Sequence, residues 1–382
     1  MEGNTVAKWL WKTLSAVMER HIGGSVRPEG ENSMTGRLFM TGVLAVVIAI
    51  GPSLGQAFAQ EKAKGSKTPA SADAGRTYVP PRTPWGDPDL QGTFTNKYEH
   101  QTPLERPAGF EGRRVEDVSG AELAAILAKR HQQVLDRAAG VGPLEFRDSL
   151  EITKASRAWL IVDPPDGKIP PLAPIDGRRN PLGEAPLDVV NARARSGSSF
   201  GNGPFDSPED FSLFDRCITR GLPGSMIPFI HGNSYQIVQA PGHVSITYEI
   251  MHEARVIPLD GRSHVGKSIR LDMGDARGHW EGNTLVVETT NFNQRSTYRN
   301  ANAATLRLVE RFTRTAPDRI EWAVTIDDPM TWTKSWTFAM PLTMNEREPV
   351  LEFGCHEGNY ALRHILSAAR AAERASEAAK KP

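Results

Sequence analysis

From Tyr235 to Phe353 apolar and polar residues alternate in short runs, the period of strands with one face inside and one outside. The alternation predicts strands near 235–240, 244–251, 253–259, 277–281, 284–292, 305–314, 319–327, 334–342 and 350–354. Turn sequences separate neighbours, among them Ala240-Pro-Gly-His243, Glu281-Gly-Asn283 and Ala316-Pro-Asp318, so consecutive strands are expected to pair antiparallel. Strands paired in chain order predict a mainly β fold, an up-and-down, lipocalin-like barrel whose closure removes its edges. An open sandwich is the alternative.

Helical spacing occurs twice. Ser119-Gly-Ala-Glu122 has the spacing of a capping box, and Leu123, Ile126, Leu127, Val134 and Leu135 follow at helical intervals, which predicts a helix over 120–138. A second begins at Asn359, with Leu362, Ile365 and Leu366 on its apolar side. Ala158-Trp-Leu-Ile-Val-Asp163 reads as a strand before Pro-Pro-Asp166-Gly167, and 170–214 as loops. The turn-rich stretch from Trp85 to about Pro107 is expected to wrap a body built by later residues.

Arg37 precedes an apolar run to Ile50, and Gln56-Ala57-Phe58-Ala59 carries an A-x-A cleavage pattern. We expect a signal peptide over 34–59, cut after Ala59, and read 1–33 as an upstream extension. A retained membrane anchor is the alternative; after cleavage no stable membrane span is expected. Residues 60–83 read as a flexible leader, 84–370 as one domain and 371–382 as a fraying helical tail. The implied location is periplasmic or secreted. There the only two cysteines, Cys217 and Cys355, are expected to form a disulfide, with a free nucleophile or metal ligand at Cys355 as the rival reading.

Composition narrows the partners. Lys and Arg total 45 against 45 Asp and Glu, so nothing in the bulk charge calls for nucleic acid. Gly (34) and Pro (28) are both plentiful, which favours turns and long loops.

Strand parity singles out ionisable groups on apolar faces. Over 244–256 the even positions are Val, Ile, Tyr248, Ile, His252, Ala and Val, which places His252 inside. Over 306–312 they are Leu, Leu, Glu310 and Phe, so a carboxylate shares the apolar face. His252 and Glu310 are therefore the candidate catalytic pair for proton transfer, and Glu288 is a weaker candidate on an ambiguous strand. The bland reading is a hydrogen-bonded histidine and a carboxylate paired with Arg216, Arg220 or Arg255. A disulfide would bring His356 and Glu357 near Arg216 and Arg220, whose guanidinium forks could grip a ligand's carboxylate or phosphate. Tyr248, Arg216, Arg220, Glu288, His356 and Glu357 make up the candidate ligand-contacting set.

No cofactor or metal is expected. Gly197-Ser-Ser199-Phe-Gly201 lacks the strand and helix of a nucleophile elbow, and Gly261 through Ser268 spells a P-loop within a β meander. His252-Glu253 lacks the second histidine of a zincin, and no local spacing supports a metal on His252, His356 and Glu310.

Five segments carry a resemblance: Trp85-Gly-Asp-Pro-Asp-Leu-Gln-Gly-Thr-Phe94, Ile161-Val-Asp-Pro-Pro-Asp-Gly167, Arg216-Cys-Ile-Thr-Arg-Gly-Leu-Pro223, Trp280-Glu-Gly-Asn-Thr-Leu-Val-Val-Glu-Thr-Thr-Asn-Phe292 and Cys355-His-Glu-Gly-Asn-Tyr360. The chain is similar in these to a family of secreted bacterial proteins of unknown function, over most of 84–370. The resemblance implies export and a single domain, and no catalytic residue. The functional expectation is capture of a small hydrophobic or aromatic molecule in a barrel cavity. The alternatives are a cofactor-independent acid–base enzyme in the same cavity and a structural envelope protein.

Overall fold

The computed structural model describes residues 78–138, 156–174, 205–229, 231–345 and 349–380. The expected signal peptide, the upstream extension, most of the leader and the Gly197–Gly201 motif lie outside the described residues.

The strands are β1 (Gly92–Thr95), β2 (Ile161–Asp163), β3 (Ser234–Ala240), β4 (His243–Tyr248), β5 (Ala254–Pro258), β6 (Asp275–Glu281), β7 (Thr284–Thr290), β8 (Arg307–Ala316), β9 (Arg319–Asp327) and β10 (Trp336–Met344). Their order in the sheet is β5-β4-β3-β1-β10-β9-β8-β7-β6, with β2 added beside β10. Every hydrogen-bonded pair is antiparallel. β5 and β6 at the two ends lie against each other, which makes a nearly closed nine-strand barrel. The mainly β barrel expected from the alternation is the fold.

Two details differ from the expectation. The segment read as a wrap supplies β1, which joins β3 to β10: Gly92 pairs with Ile237, and Phe94 with both Tyr235 and Met344. Conversely, 350–354 is not a strand.

An odd number of strands has a consequence. With antiparallel neighbours all the way round, the two end strands must run parallel, and β5 and β6 meet as a seam without a ladder. Side chains close it instead. A Cβ on Gly278 of β6 would lie 2.7 Å from Leu259 and 2.8 Å from Ile257, so glycine there lets both leucine and isoleucine cross the seam.

Alternation is clean in β8 and β9, and in β9 Ile320, Trp322, Val324 and Ile326 are fully buried. The interior is filled by such residues: Phe94, Tyr235, Phe312, Trp336 and Phe338 are also fully buried and belong to the same core. Helix α1 (Gly120–Ala138) buries Leu127 and Val134, and Arg130 donates to the Ala158 carbonyl at 2.6 Å beside a small cluster of Val118, Ala158 and Trp159. Helix α2 (Ala361–Ala379) continues through the stretch expected to fray. Its Arg370 reaches the Phe205 carbonyl at 3.1 Å. Among the described residues no helix is long and apolar enough to cross a membrane.

Cys217 and Cys355 form the expected disulfide across 138 residues of sequence, tying the loop before β3 to the segment that leads into α2. Closing a loop of that length restricts the unfolded chain by roughly 4–5 kcal/mol. Cys217→Ser should therefore lower the denaturant midpoint under oxidising conditions, and dithiothreitol should lower the wild type to match; an unchanged midpoint for both would contradict the tether's role.

Candidate functional site

Parity places Glu310 correctly and His252 wrongly. Glu310 is fully buried on the inner face of β8. Arg255 on the inner face of β5 grips it with both ends of the fork, Nη1 to Oε2 at 2.5 Å and Nη2 to Oε1 at 2.8 Å. The Trp322 indole donates to Oε1 at 3.1 Å. Burial alone would lower the Arg255 pKa, but the facing carboxylate holds it above the usual guanidinium value. Tyr248 stands beside the pair, and burial raises its phenol far above the ordinary range. A buried carboxylate gripped by three donors is committed to holding Arg255 and Trp322 in place.

His252 does not join it. The strand expected to run to 251 ends at Tyr248, and a tight turn follows in which Met251 and His252 adopt left-handed backbone angles (φ 59° and 52°). The two-residue period breaks there, so the side chain leaves the inner face and is exposed. Its Nδ1 accepts from the Phe353 amide at 3.3 Å. The proposed His252–Glu310 proton relay thus has no common site.

The other candidates also scatter. Glu288 faces outward from β7 and pairs with Arg307. Arg216 turns to Glu209 at 3.7 Å. His356 and Glu357 are exposed beside the disulfide.

Arg220 is different. Residues 211–229 cap one end of the barrel, with Leu222 and Met226 fully buried in the core and the Met226 carbonyl accepting from Asn96 Nδ2 at 2.6 Å. Gly221 is forced: its φ is +62°, and a Cβ would lie 2.1 Å from the Ser296 carbonyl oxygen. That contact fixes the residue before it. The Arg220 guanidinium lies 4.6 Å from the Phe229 ring centroid and 5.3 Å from that of Phe214, two rings set edge to face. Nη1 donates to the Ile227 carbonyl at 3.1 Å. Burial lowers its pKa, and the groups that oppose this are the phenols of Tyr235 and Tyr298, not a carboxylate. Among the described residues this half-buried cation has no acidic partner. The aromatic row continues from Phe229 through His231 to Phe353.

One cluster gathers Glu288 with residues of the polar turn around Asp275 and Arg277 and with His264, which the sequence reading did not name. His264 Nδ1 lies 2.9 Å from Asp275 and Nε2 3.4 Å from Glu288, with Arg277 2.6 Å from Asp275. These residues come from a loop and two strands, so no local spacing announces them. Both ring nitrogens face carboxylates, which leaves none to activate a nucleophile, and the cluster ties the 259–274 loop to the barrel's outer face. No protein-family model matches the chain, and no curated protein matches it significantly.

Removing one member of a buried pair strands the other charge, which costs about 3–5 kcal/mol. Glu310→Gln and Arg255→Met should each destabilise by that order in urea titrations. The double variant should recover much of the loss, and strictly additive losses would contradict a coupled pair. Asp275 is also held below its ordinary value of 3.8: burial opposes this, but hydrogen bonds from Val265, His264 and Arg277 prevail. A depressed carboxyl stabilises the fold above its unfolded pKa and loses that contribution as pH falls through its native value. Asp275→Asn should flatten the acid limb of a stability–pH curve.

Proposed function

We propose that the protein is an exported binding protein that captures a small anionic molecule with an apolar or aromatic body, at the capped end of the barrel and without a cofactor. The observation that carries this reading is Arg220, a half-buried guanidinium stacked on Phe214 and Phe229 with no acidic partner among the described residues. A cation taken partly out of water without a counter-ion is held at a disadvantage that an incoming carboxylate or phosphate relieves. The rings beside it offer faces for an apolar body. The cap rather than the barrel centre is the place for such a ligand, since the inner positions already hold Trp322, Trp336 and Phe338. The Cys217–Cys355 disulfide fits an oxidising compartment, and the signal-like segment over 34–59 points to the periplasm or the exterior.

Isothermal titration with 2-naphthoate and with its uncharged alcohol tests the reading. The acid should bind the wild type, the alcohol should bind much more weakly, and Arg220→Met should weaken the acid by about tenfold or more, the worth of one charge-assisted hydrogen bond. Equal binding of acid and alcohol, or indifference to Arg220→Met, would overturn it.

A further inference from the structure

Arg220 is presented by a loop, and something must hold that loop in place. Glu253 lies just beneath it, at the start of β5. Its backbone is fixed, because its carbonyl accepts from the Tyr248 amide at 2.8 Å. Its half-buried carboxylate accepts from the Ser225 hydroxyl at 3.2 Å, and the Thr219 hydroxyl and the Arg220 backbone amide lie near enough to favour its charged form. Thr219 and Ser225 are themselves buried and bracket the turn: the Gly221 amide bonds the Thr219 hydroxyl at 2.8 Å, and the Ser225 amide bonds the Gly221 carbonyl at 2.8 Å. One carboxylate therefore spans both sides of the turn that carries Arg220.

We propose that Glu253 is the positioning residue of the capped end, holding the 219–226 loop and hence the Arg220 guanidinium in place through its hydrogen bond to Ser225 and its closeness to Thr219 and the Arg220 amide on the other side of Gly221. This rests on the reading of Arg220 as the anion-binding group. Glu253 touches no ligand; it acts through the loop.

Two titratable groups face it from the elements packed around it, Asp272 from the β5–β6 connection and Tyr248 from β4, while the loop turns only the Arg220 backbone amide, not its guanidinium, towards it. Burial, with Asp272 adding to it, holds the Glu253 carboxyl above its ordinary value of 4.5, against the pull of the hydrogen bonds. The loop's donors favour the charged carboxyl while burial favours the neutral one, so loop closure depends on pH through this group.

Hydrogen exchange on the disulfide-bonded protein, from about pH 4.5 to about pH 7.5, measures loop opening without a ligand. The expected result is that Glu253→Ala lowers the protection factors of the Gly221–Met226 amides about tenfold while β8 and β9 keep theirs. Glu253→Gln, which keeps an acceptor oxygen but no charge, should restore protection and remove its pH dependence. Unchanged protection in Glu253→Ala overturns the proposal, as does a wild-type pH dependence in Glu253→Gln. If Glu253→Ala does not fold, the Glu253→Gln profile decides alone. Naphthoate titration of the same proteins separates the two claims: a loosened loop in Glu253→Ala with no binding by the wild type supports the positioning role and sinks the anion reading.

Discussion

The Arg255–Glu310 pair is the interaction on which the barrel's closure depends. Nine strands with antiparallel neighbours cannot close with a final antiparallel ladder, and β5 and β6 meet without one. Arg255 stands on β5 at that seam, and Glu310 stands on β8, two strands beyond β6. The bidentate contact thus reaches over the seam from inside and ties its two flanks together. Gly278 completes the closure from β6 by admitting Ile257 and Leu259. A buried ion pair is weak evidence for net stability, but one that sets which strands face each other across an unladdered joint specifies a register.

Closing the barrel in this way shifts any chemistry outward. With Glu310 committed to Arg255 and Trp322, and the remaining inner positions occupied by large rings, the half-buried cation without an acidic partner among the described residues lies at the cap. There the constraints are short-range and mutually dependent. Gly221 abuts the Ser296 carbonyl, Leu222 and Met226 enter the core, and Cys217 is tied to the segment before α2. The outcome is a half-buried guanidinium presented on an aromatic bed.

Much of this was legible in the sequence. Strict alternation in 319–326 and 336–342 located β9 and most of β10, and the inward parity of Glu310 was read correctly because β8 runs unbroken through it. His252 was misplaced by a turn that the alternation does not register: the apolar spacing continues through Ile250 while the backbone reverses at Met251 and His252. β1 was missed because four residues carry too little periodicity, and its place between β3 and β10 is set by partners more than 130 residues away. Arg220 was legible as a candidate, but not its rings, since Phe214 and Phe229 stand on opposite sides of it in the chain and only the cap's fold brings them together. In the His264 cluster Glu288 was named, but its meeting with His264 and Asp275 was not legible for the same reason.

The most direct test of the central claim is to watch the Arg220 side chain itself, by recording the ¹⁵N–¹H resonance of each arginine Nε while titrating an aromatic carboxylate at neutral pH. Assignment of Arg220 comes from the spectrum of the Arg220→Lys variant. The account predicts a saturable shift of the Arg220 resonance, with Arg255 undisturbed in its pair with Glu310. A small, non-saturating drift shared by the surface arginines, with Arg220 no different from the rest, would contradict it.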